Sequence, residues 1–216
     1  MNNVLGIIIS FVYIAVLMFA AKYFEKFDKE ASRKFIHILL ANWWLIIMAF
    51  CDNIIPALIP PIAFVIINFI SYKSNVIKVM ERNEEDKDGL GTVYYAISLI
   101  PLVILSFGLT DNRLIGLIGL FIMAYGDGFA SLVGKSVESK SYTIFGTKKT
   151  IAGSLAMFVT AFIISLAVFA YVNSGLYILK ALIIAIVATI LEAISAKGTD
   201  NITVPVIVSV ITYFMI

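Results

Sequence analysis

The sequence predicts an all-α, polytopic integral membrane protein, a bundle of about eight transmembrane helices. Of its 216 residues, 61% are hydrophobic and only 14% are charged, whereas a soluble domain carries about 25% charged residues. The hydrophobic residues form eight runs, most of them close to the ~20 residues that cross about 30 Å of hydrocarbon. These runs occupy residues 4–21, 35–51, 54–71, 93–107, 114–133, 151–172, 176–196 and 202–216.

Length alone does not settle whether three of the eight runs, the first, fourth and eighth, are spans. Run one is followed by Lys22 and lacks a basic start, so we expect it to remain as a span instead of being cleaved as a signal peptide. The fourth and eighth runs are short, and the eighth contains Pro205, which makes seven spans the alternative. Because no low-complexity linker or repeat divides the chain, residues 1–216 are expected to form a single transmembrane domain that contains any catalytic site.

Basic residues are distributed asymmetrically along the chain. Fourteen of the 16 lysines and arginines lie in the connections after runs one, three, five and seven, and only Arg113, between runs four and five, and Lys180, near the start of run seven, fall on the other side. The positive-inside rule places these four connections in the cytoplasm and both termini outside. We therefore expect a multi-pass cell-membrane protein whose functional site faces the cytoplasm. Cys51 is the only cysteine, which excludes intramolecular disulfides and metal sites with two cysteine ligands.

A carboxylate within the fifth run is a candidate functional residue. An ionised Asp in hydrocarbon costs roughly 2.5–3.5 kcal/mol, so Asp127 is expected to face a wet cavity, a cation or a partner. Its neighbours Gly126 and Gly128 allow the helix to unwind, which suits Mg²⁺ held by one or two carboxylates and by substrate phosphates. The alternative is a small-residue packing face around a buried Asp. Glu192, near the cytoplasmic end of run seven, is a second intramembrane carboxylate.

Basic residues precede the second run. Arg33 and Lys34 lie four and three residues before His37, so all three can share one helical face. One interpretation is a clamp for a phosphate, with His37 adding a hydrogen bond or a proton. The other is an interfacial anchor whose basic side chains contact lipid headgroups. Gly91, before the fourth run, suits phosphate binding at a helix start, and turn chemistry explains it about as well.

The connection before the sixth run ends in a pattern typical of a phosphate-binding helix start. Thr150 is a natural N-cap, preceded by two lysines and followed by a glycine and a serine; such a start offers backbone amides, a positive dipole end and hydroxyls. These residues are Lys148, Lys149, Thr150, Gly153 and Ser154. Lys135 follows Asp127 at the end of the fifth run, but the spacing to Gly128 does not fit a Walker A loop.

A polar turn precedes the last run. Asp200 and Asn201 lie in this turn, and Lys197 comes three residues before Asp200. Lys197 can simply neutralise Glu192 or Asp200, which is the structural alternative to a catalytic role for the two carboxylates.

Taken in order, these motifs resemble those of the dolichol kinase and phytol kinase family, which includes CTP-dependent diacylglycerol kinases. The resemblance implies transfer of the γ-phosphoryl group of CTP, or of a related nucleotide, to a membrane lipid alcohol such as phytol, another prenol, a short polyprenol or diacylglycerol. These 216 residues are expected to form fewer spans than is typical of eukaryotic dolichol kinases, which favours phytol-like, shorter prenyl or diacylglycerol alcohols over a long dolichol. The residues that carry the resemblance are Arg33-Lys34-x-x-His37, Gly91-Thr92-Val93-Tyr94-Tyr95, Gly126-Asp127 with Ala130 and Gly134, Lys148-Lys149-Thr150 with Gly153 and Ser154, and Glu192 with Asp200, Asn201 and Pro205.

The resemblance also implies roles for individual residues. Asp127 would hold Mg²⁺ as the cofactor, with Glu192 or Asp200 as a second metal ligand; Glu192, Asp200 or His37 would be the base. The lipid bilayer is the expected environment, and no nucleic acid is expected as a partner. The residues expected to contact nucleotide or phosphate are Arg33, Lys34, Gly91, Gly128, Lys135, Lys148, Lys149, Thr150, Gly153, Ser154 and Asn201.

Two other functions remain open from the sequence. A CTP-dependent lipid-phosphate cytidylyltransferase needs the same membrane setting, magnesium, lysines and carboxylates, but attack falls on the α-phosphorus. An ion-coupled transporter or a scaffold would use the two carboxylates as a relay. A transporter should also show polar residues near the middle of the membrane, whereas the outer halves of these runs are almost wholly apolar.

Overall fold

A computed structural model describes residues 2–24, 26, 29–74, 91–196 and 198–216. Lys197 lies outside these residues, as does the acidic segment before Gly91. Almost all of the described chain is helical, and six of its helices are long and apolar enough to cross a membrane; Ile54–Ile70 and Asp200–Met215 are shorter apolar helices. The predicted class, an all-α polytopic membrane protein, is therefore confirmed. The number of spans and their orientation stay predictions. The six long helices are Asn3–Phe24, Ser32–Phe50, Gly91–Leu109, Leu114–Ser136, Ile151–Tyr171 and Tyr177–Ile194.

The chain forms two compact units, residues 1–113 and residues 114–216. The described residues of the first unit form five α-helices, and the last of these continues as a π-helical segment at Ile104–Leu109. The α-helices are α1 (Asn3–Phe24), α2 (Lys29–Leu40), α3 (Trp43–Phe50), α4 (Ile54–Ser74) and α5 (Gly91–Val103).

Aromatic residues form much of the core of the first unit. Trp43 and Trp44 are almost completely buried, and the Trp44 ring lies 6.2 Å from the Phe107 ring. The Trp44 indole Nε1–H donates to the main-chain oxygen of Arg113 at 2.9 Å, which satisfies a donor that would be costly to bury alone. The start of α1 packs closely on the end of α3, because Gly6 has no Cβ to meet Phe50.

The second unit is a closed ring of four helical segments. The segment formed by α6 (Leu114–Phe121), Ile122–Gly126 and α7 (Asp127–Ser136) contacts both α8 (Ile151–Tyr171) and α10 (Asp200–Met215), and α9 (Tyr177–Ile194) contacts the same two helices. Since the chain runs up and down through this ring, the end of α7, the start of α8, the end of α9 and the start of α10 lie at one end of the unit. Most of the sequence-predicted site residues of this unit lie there.

A π-helical segment, Ile122–Gly126, lies directly before Asp127. Such turns occur frequently at functional sites. Gly126 and Asp127 keep right-handed helical angles, with φ of −63° at both, so the helix widens there and does not unwind. The helix contacts α10 before the wide turn, where Gly119 meets Pro205, and it contacts α8 at the end of the wide turn, where Gly126 meets Met157, and along α7.

A β-hairpin connects α7 to α8. Strand β1 (Ser141–Ile144) pairs antiparallel with β2 (Thr147–Thr150). The turn residues Phe145 and Gly146 both have positive φ, 47° and 76°, as a two-residue type I′ turn requires. Side chains alternate between two faces: the inner face is half-buried, whereas the outer face is mostly exposed. The inner face comprises Tyr142, Ile144, Thr147 and Lys149, and the outer face comprises Ser141, Thr143, Lys148 and Thr150.

Candidate active site

The hairpin and its flanks cap the start of α8. Thr150 Oγ1 accepts from the Gly153 amide at 3.1 Å, which confirms the predicted N-cap. The Ile151 amide donates to the Lys140 main-chain oxygen at 3.0 Å, and the Ala152 amide donates to Ser139 Oγ at 3.2 Å. These three amides, which a helix leaves without intrahelical acceptors, are therefore satisfied within the chain. A phosphate at this helix start would have to displace one of these bonds or bind through side chains.

Lys149 and Glu192 form an ion pair between the hairpin and α9. The Lys149 ammonium donates to Glu192 Oε1 and also to the Glu192 main-chain oxygen. Both groups are well buried, with side-chain exposures of 12% for Lys149 and 6% for Glu192. Within the described residues, Glu192 Oε2 is buried and accepts no hydrogen bond. Lys149 and Glu192, to which the sequence assigned separate roles, therefore contact each other. Glu192 Oε2 can still accept a ligand.

The two neighbouring lysines of β2 point in opposite directions. Lys148 pairs with Thr143 on the outer face of the hairpin and is exposed, whereas Lys149 faces α9. Alternation along a strand causes this separation. On the inner face, the Tyr142 hydroxyl and Ser154 Oγ lie 2.5 Å apart. Ser154 therefore fixes the hairpin to the first turn of α8.

Asp127 is the first residue of α7 and is half-buried. The small residues around it pack against α8: a Cβ at Gly134 would lie 2.7 Å from Thr150 Oγ1, and a Cβ at Gly153 would lie 2.8 Å from the Ala130 main-chain oxygen. Asp127 lies three residues before Ala130 and seven before Gly134, which places it about 60° and 20° from them around the helix axis. The carboxylate and the small-residue packing face, which the sequence offered as alternatives, therefore share one side of the helix.

Four more candidates lie on the helices of the second unit. Gly128 is buried in the first turn of α7, and Lys135 is exposed two turns after Asp127. Asp200 and Asn201 open α10 and are half-buried; the Asn201 amide donates to Asp200 Oδ1 at 3.1 Å. An acidic group in the first helical turn is stabilised by the helix dipole.

The oxygen donors fit a hard divalent cation better than a soft one. No group of three or more His, Cys, Asp or Glu side chains close enough to hold a metal exists among the described residues. Mg²⁺ does not require such a group, because it is often held by one or two carboxylates, substrate phosphates and water. The buried Glu192 Oε2 is a suitable donor for it.

The remaining candidates belong to the first unit. Lys34 is buried in α2 with 8% exposure, and Arg33 and His37 are half-buried. The His37 ring lies edge-on to the Tyr95 ring at 5.2 Å. Gly91 is the first residue of α5, as the sequence predicted. Burial of Lys34 is deeper than a simple headgroup anchor requires.

An apolar groove of about 250 Å³ lies beside the same helix but apart from the carboxylate. Phe129 in this groove is two residues from Asp127, which is about 200° around the helix axis. The groove is therefore on the opposite side of the helix from Asp127. Its lining residues are Phe121, Tyr125, Phe129, Thr160, Ile163 and Ile164.

The hairpin, with Ser139 and Tyr142, is the part of the site that sequence reasoning missed. A partial signal for it exists: residues 141–144, Ser-Tyr-Thr-Ile, alternate in polarity and are followed by a glycine at 146, as in the first strand and turn of a short hairpin. The wide turn at Ile122–Gly126 has no comparable signal, because its residues are ordinary helix residues.

The fold and these residues define a helical membrane protein with buried and exposed charges at one end of its second unit. Residues 3–195 match the cytidylyltransferase family, so the chain belongs to this family. The chain is similar to the phytol kinase of Synechocystis sp., with 30% identity over 184 residues, 82% of this chain and 75% of the relative. This similarity confirms the resemblance to polyprenol and phytol kinases that the motifs indicated.

Two further relatives carry related names. A probable chloroplastic phytol kinase of Triticum aestivum is 28% identical over 208 residues, 87% of this chain and 68% of the relative. A chloroplastic farnesol kinase of Arabidopsis thaliana is 26% identical over 197 residues, 82% of this chain and 63% of the relative. No solved structure matches the chain.

Proposed function

We propose that the protein is a Mg²⁺-dependent lipid-alcohol kinase that transfers the γ-phosphoryl group of CTP to the hydroxyl of an isoprenoid alcohol or diacylglycerol. Similarity to kinases named for phytol and farnesol, over 82% to 87% of the chain, carries this proposal. In the reaction, the alcohol oxygen bonds to the γ-phosphorus and the bond to the bridging oxygen breaks. CDP leaves, and the hydroxyl proton passes to a base.

The residues of the second unit suit this chemistry, because phosphoryl transfer depends mostly on positioning and charge stabilisation. Asp127 and Glu192 Oε2 would hold Mg²⁺, which neutralises phosphate charge when bound. Lys148 and Lys135, both exposed, are the cations that can reach a triphosphate. Lys149 is already neutralised by Glu192, so its proposed part is to orient that carboxylate.

The general base and the remaining phosphate contacts complete the proposed site. Asp200 and His37 are the candidate bases. Asn201, Gly128, Thr150, Gly153 and Ser154 in the second unit are the proposed polar contacts, with Arg33, Lys34 and Gly91 in the first. The asymmetry of lysine and arginine supports a site that faces the cytoplasm, where CTP is available.

The description of the matched family favours one competing function, a lipid-phosphate cytidylyltransferase. The nucleotide product separates the two: γ-phosphoryl transfer releases CDP, whereas cytidylyl transfer releases pyrophosphate. Purified protein is incubated with labelled CTP and, in separate reactions, with a lipid alcohol (phytol or diacylglycerol) or with the corresponding lipid monophosphate. The kinase should yield CDP and a lipid monophosphate from the alcohol. Pyrophosphate released with the lipid monophosphate, and no CDP released with the alcohol, would exclude the kinase.

Substitution of Asp127 tests the proposed metal ligand. Asp127→Asn removes a charge with almost no change in shape, and we expect a loss of roughly 100-fold or more in turnover, as for removal of a strong electrostatic group. Asp111→Asn is the matched control, since Asp111 has a positive φ of 51°, where Asn is well tolerated. Turnover of Asp127→Asn within a few-fold of the parent would exclude the metal role.

A further inference from the structure

The hairpin tip carries an exposed aromatic side chain on a strained backbone. Phe145 is 76% exposed and has a φ of 47°. The first position of a type I′ turn favours Asn, Asp or Gly, and a bulky residue at positive φ is an outlier of the kind that persists where it serves a function. In the part of the chain that the structure describes, neither packing nor turn chemistry accounts for a phenylalanine here.

The hairpin lies across the end of the second unit. Midway along it, Tyr142 contacts Ser154 of α8, and its partner across the strands, Lys149, contacts Glu192 of α9. Two such contacts to different helices hold the inner face against the helix ends. The tip lies three residue pairs beyond the base, past both contacts, and Phe145 there is exposed.

The hairpin also lies at the level where a membrane would begin. Helix α8 starts at Ile151, directly after β2, and is long and apolar enough to cross a membrane. Lys140 before β1 and Lys148 in β2 are exposed, whereas Lys149 is paired with Glu192. Positive charge beside an exposed aromatic residue is the combination that binds the interface of membranes with anionic lipids.

We propose that Phe145 inserts into the lipid–water interface and holds the hairpin at the membrane surface, with anionic headgroups contacting the neighbouring lysines. This anchoring does not depend on the proposed kinase activity. The strained phenylalanine would then contact the acyl–headgroup boundary of the bilayer. The hairpin would contact the membrane in addition to capping α8.

Fluorescence quenching tests the position of the tip. Phe145→Trp is introduced into the full chain. The protein is then reconstituted in phosphatidylcholine–phosphatidylglycerol vesicles whose lipids carry bromine on acyl carbons near the headgroups. Trp43 and Trp44 are buried, and their signal is subtracted using the parent protein. We expect bromolipid to quench the added indole by more than half and aqueous acrylamide to quench it weakly. The control, Glu138→Trp at an exposed position before the hairpin, should show the reverse. Equal behaviour at positions 145 and 138 would overturn the proposal.

Amide hydrogen exchange gives a second test in which turn chemistry and anchoring predict opposite signs. Asn suits the turn better than Phe, so turn chemistry alone predicts slower exchange of residues 141–150 in Phe145→Asn. Loss of an interfacial anchor predicts exchange several-fold faster in vesicles. Slower or unchanged exchange would contradict the anchoring.

Discussion

Removal of the Lys149 ammonium should destabilise the second unit strongly. Lys149→Met keeps the length of the side chain but leaves the Glu192 carboxylate buried, with 6% side-chain exposure and no cation beside it. Breaking a buried pair in this way costs about 3–5 kcal/mol. At about 2–4 °C per kcal/mol for a chain of this size, we expect the unfolding temperature to fall by roughly 6–20 °C.

The partner substitution and the double substitution complete the cycle. Glu192→Gln should cost less, because the flexible stem of Lys149 can carry its charge towards water. Lys149→Met combined with Glu192→Gln removes both charges and should recover most of the loss, since replacing both members of a buried pair is often nearly neutral. The two substitutions should therefore be non-additive, as expected for groups in direct contact.

The assay is the thermal unfolding of the four purified proteins in one detergent. Lys148→Met is the matched control: it removes the same ammonium from the adjacent residue, which is exposed on the outer face, and should leave the unfolding temperature unchanged. Equal stability of Lys149→Met and Lys148→Met, or additive effects in the double variant, would refute the buried pair.

Three smaller perturbations test other contacts through the unfolding temperature. Thr150→Ala removes the acceptor for an α8 amide and should cost about 1 kcal/mol, with Ser restoring most of it. Gly153→Ala forces a Cβ against a main-chain oxygen and should destabilise, whereas Gly175→Ala meets nothing within 4 Å and should not. The hydrogen bond from Asn3 is the main cause that lowers the pKa of Asp52. The resulting stability is present above the unfolded pKa and is lost as the pH falls through the lower folded pKa, so the stabilities of parent and Asn3→Ala should converge as the pH falls below about 4.

Each of these expectations has a clear contrary result. If Thr150→Ala unfolds at the same temperature as the parent, the N-cap does not stabilise α8. Equal stability of the two glycine variants would contradict the close approach of α7 and α8. A constant difference between the parent and Asn3→Ala at all pH values would exclude the Asp52 carboxylate as its source.

Much of the helical framework could be predicted because apolar runs and helix caps are local properties. The run predicted at 151–172 became Ile151–Tyr171, and Thr150 forms the predicted cap because N-cap geometry depends on four consecutive residues. The hairpin was missed for the opposite reason. Its strands are four residues each, and their alternation is weak beside the strong helical signals on both sides.

The candidate site was predictable in its members but not in their partners. Residue type and membrane depth singled out Asp127 and Glu192. Nothing in the sequence shows that Lys149 points at Glu192 while Lys148 points away, because this depends on an alternation that exists only once a strand forms. Likewise, the amides of α8 were expected to be available, and only the tertiary position of Ser139 reveals that one of them is satisfied.

The wide turn at Ile122–Gly126 affects how this helix tolerates changes of length. An ordinary α-helix that loses one residue rotates everything beyond the deletion by about 100°, which would turn Gly134 away from Thr150. Loss of one residue within Ile122–Gly126 would instead let the π-helical segment relax to α geometry, with the contacts to α10 and α8 both kept in register. A single-residue gap is therefore tolerable in this segment and disruptive elsewhere in the helix.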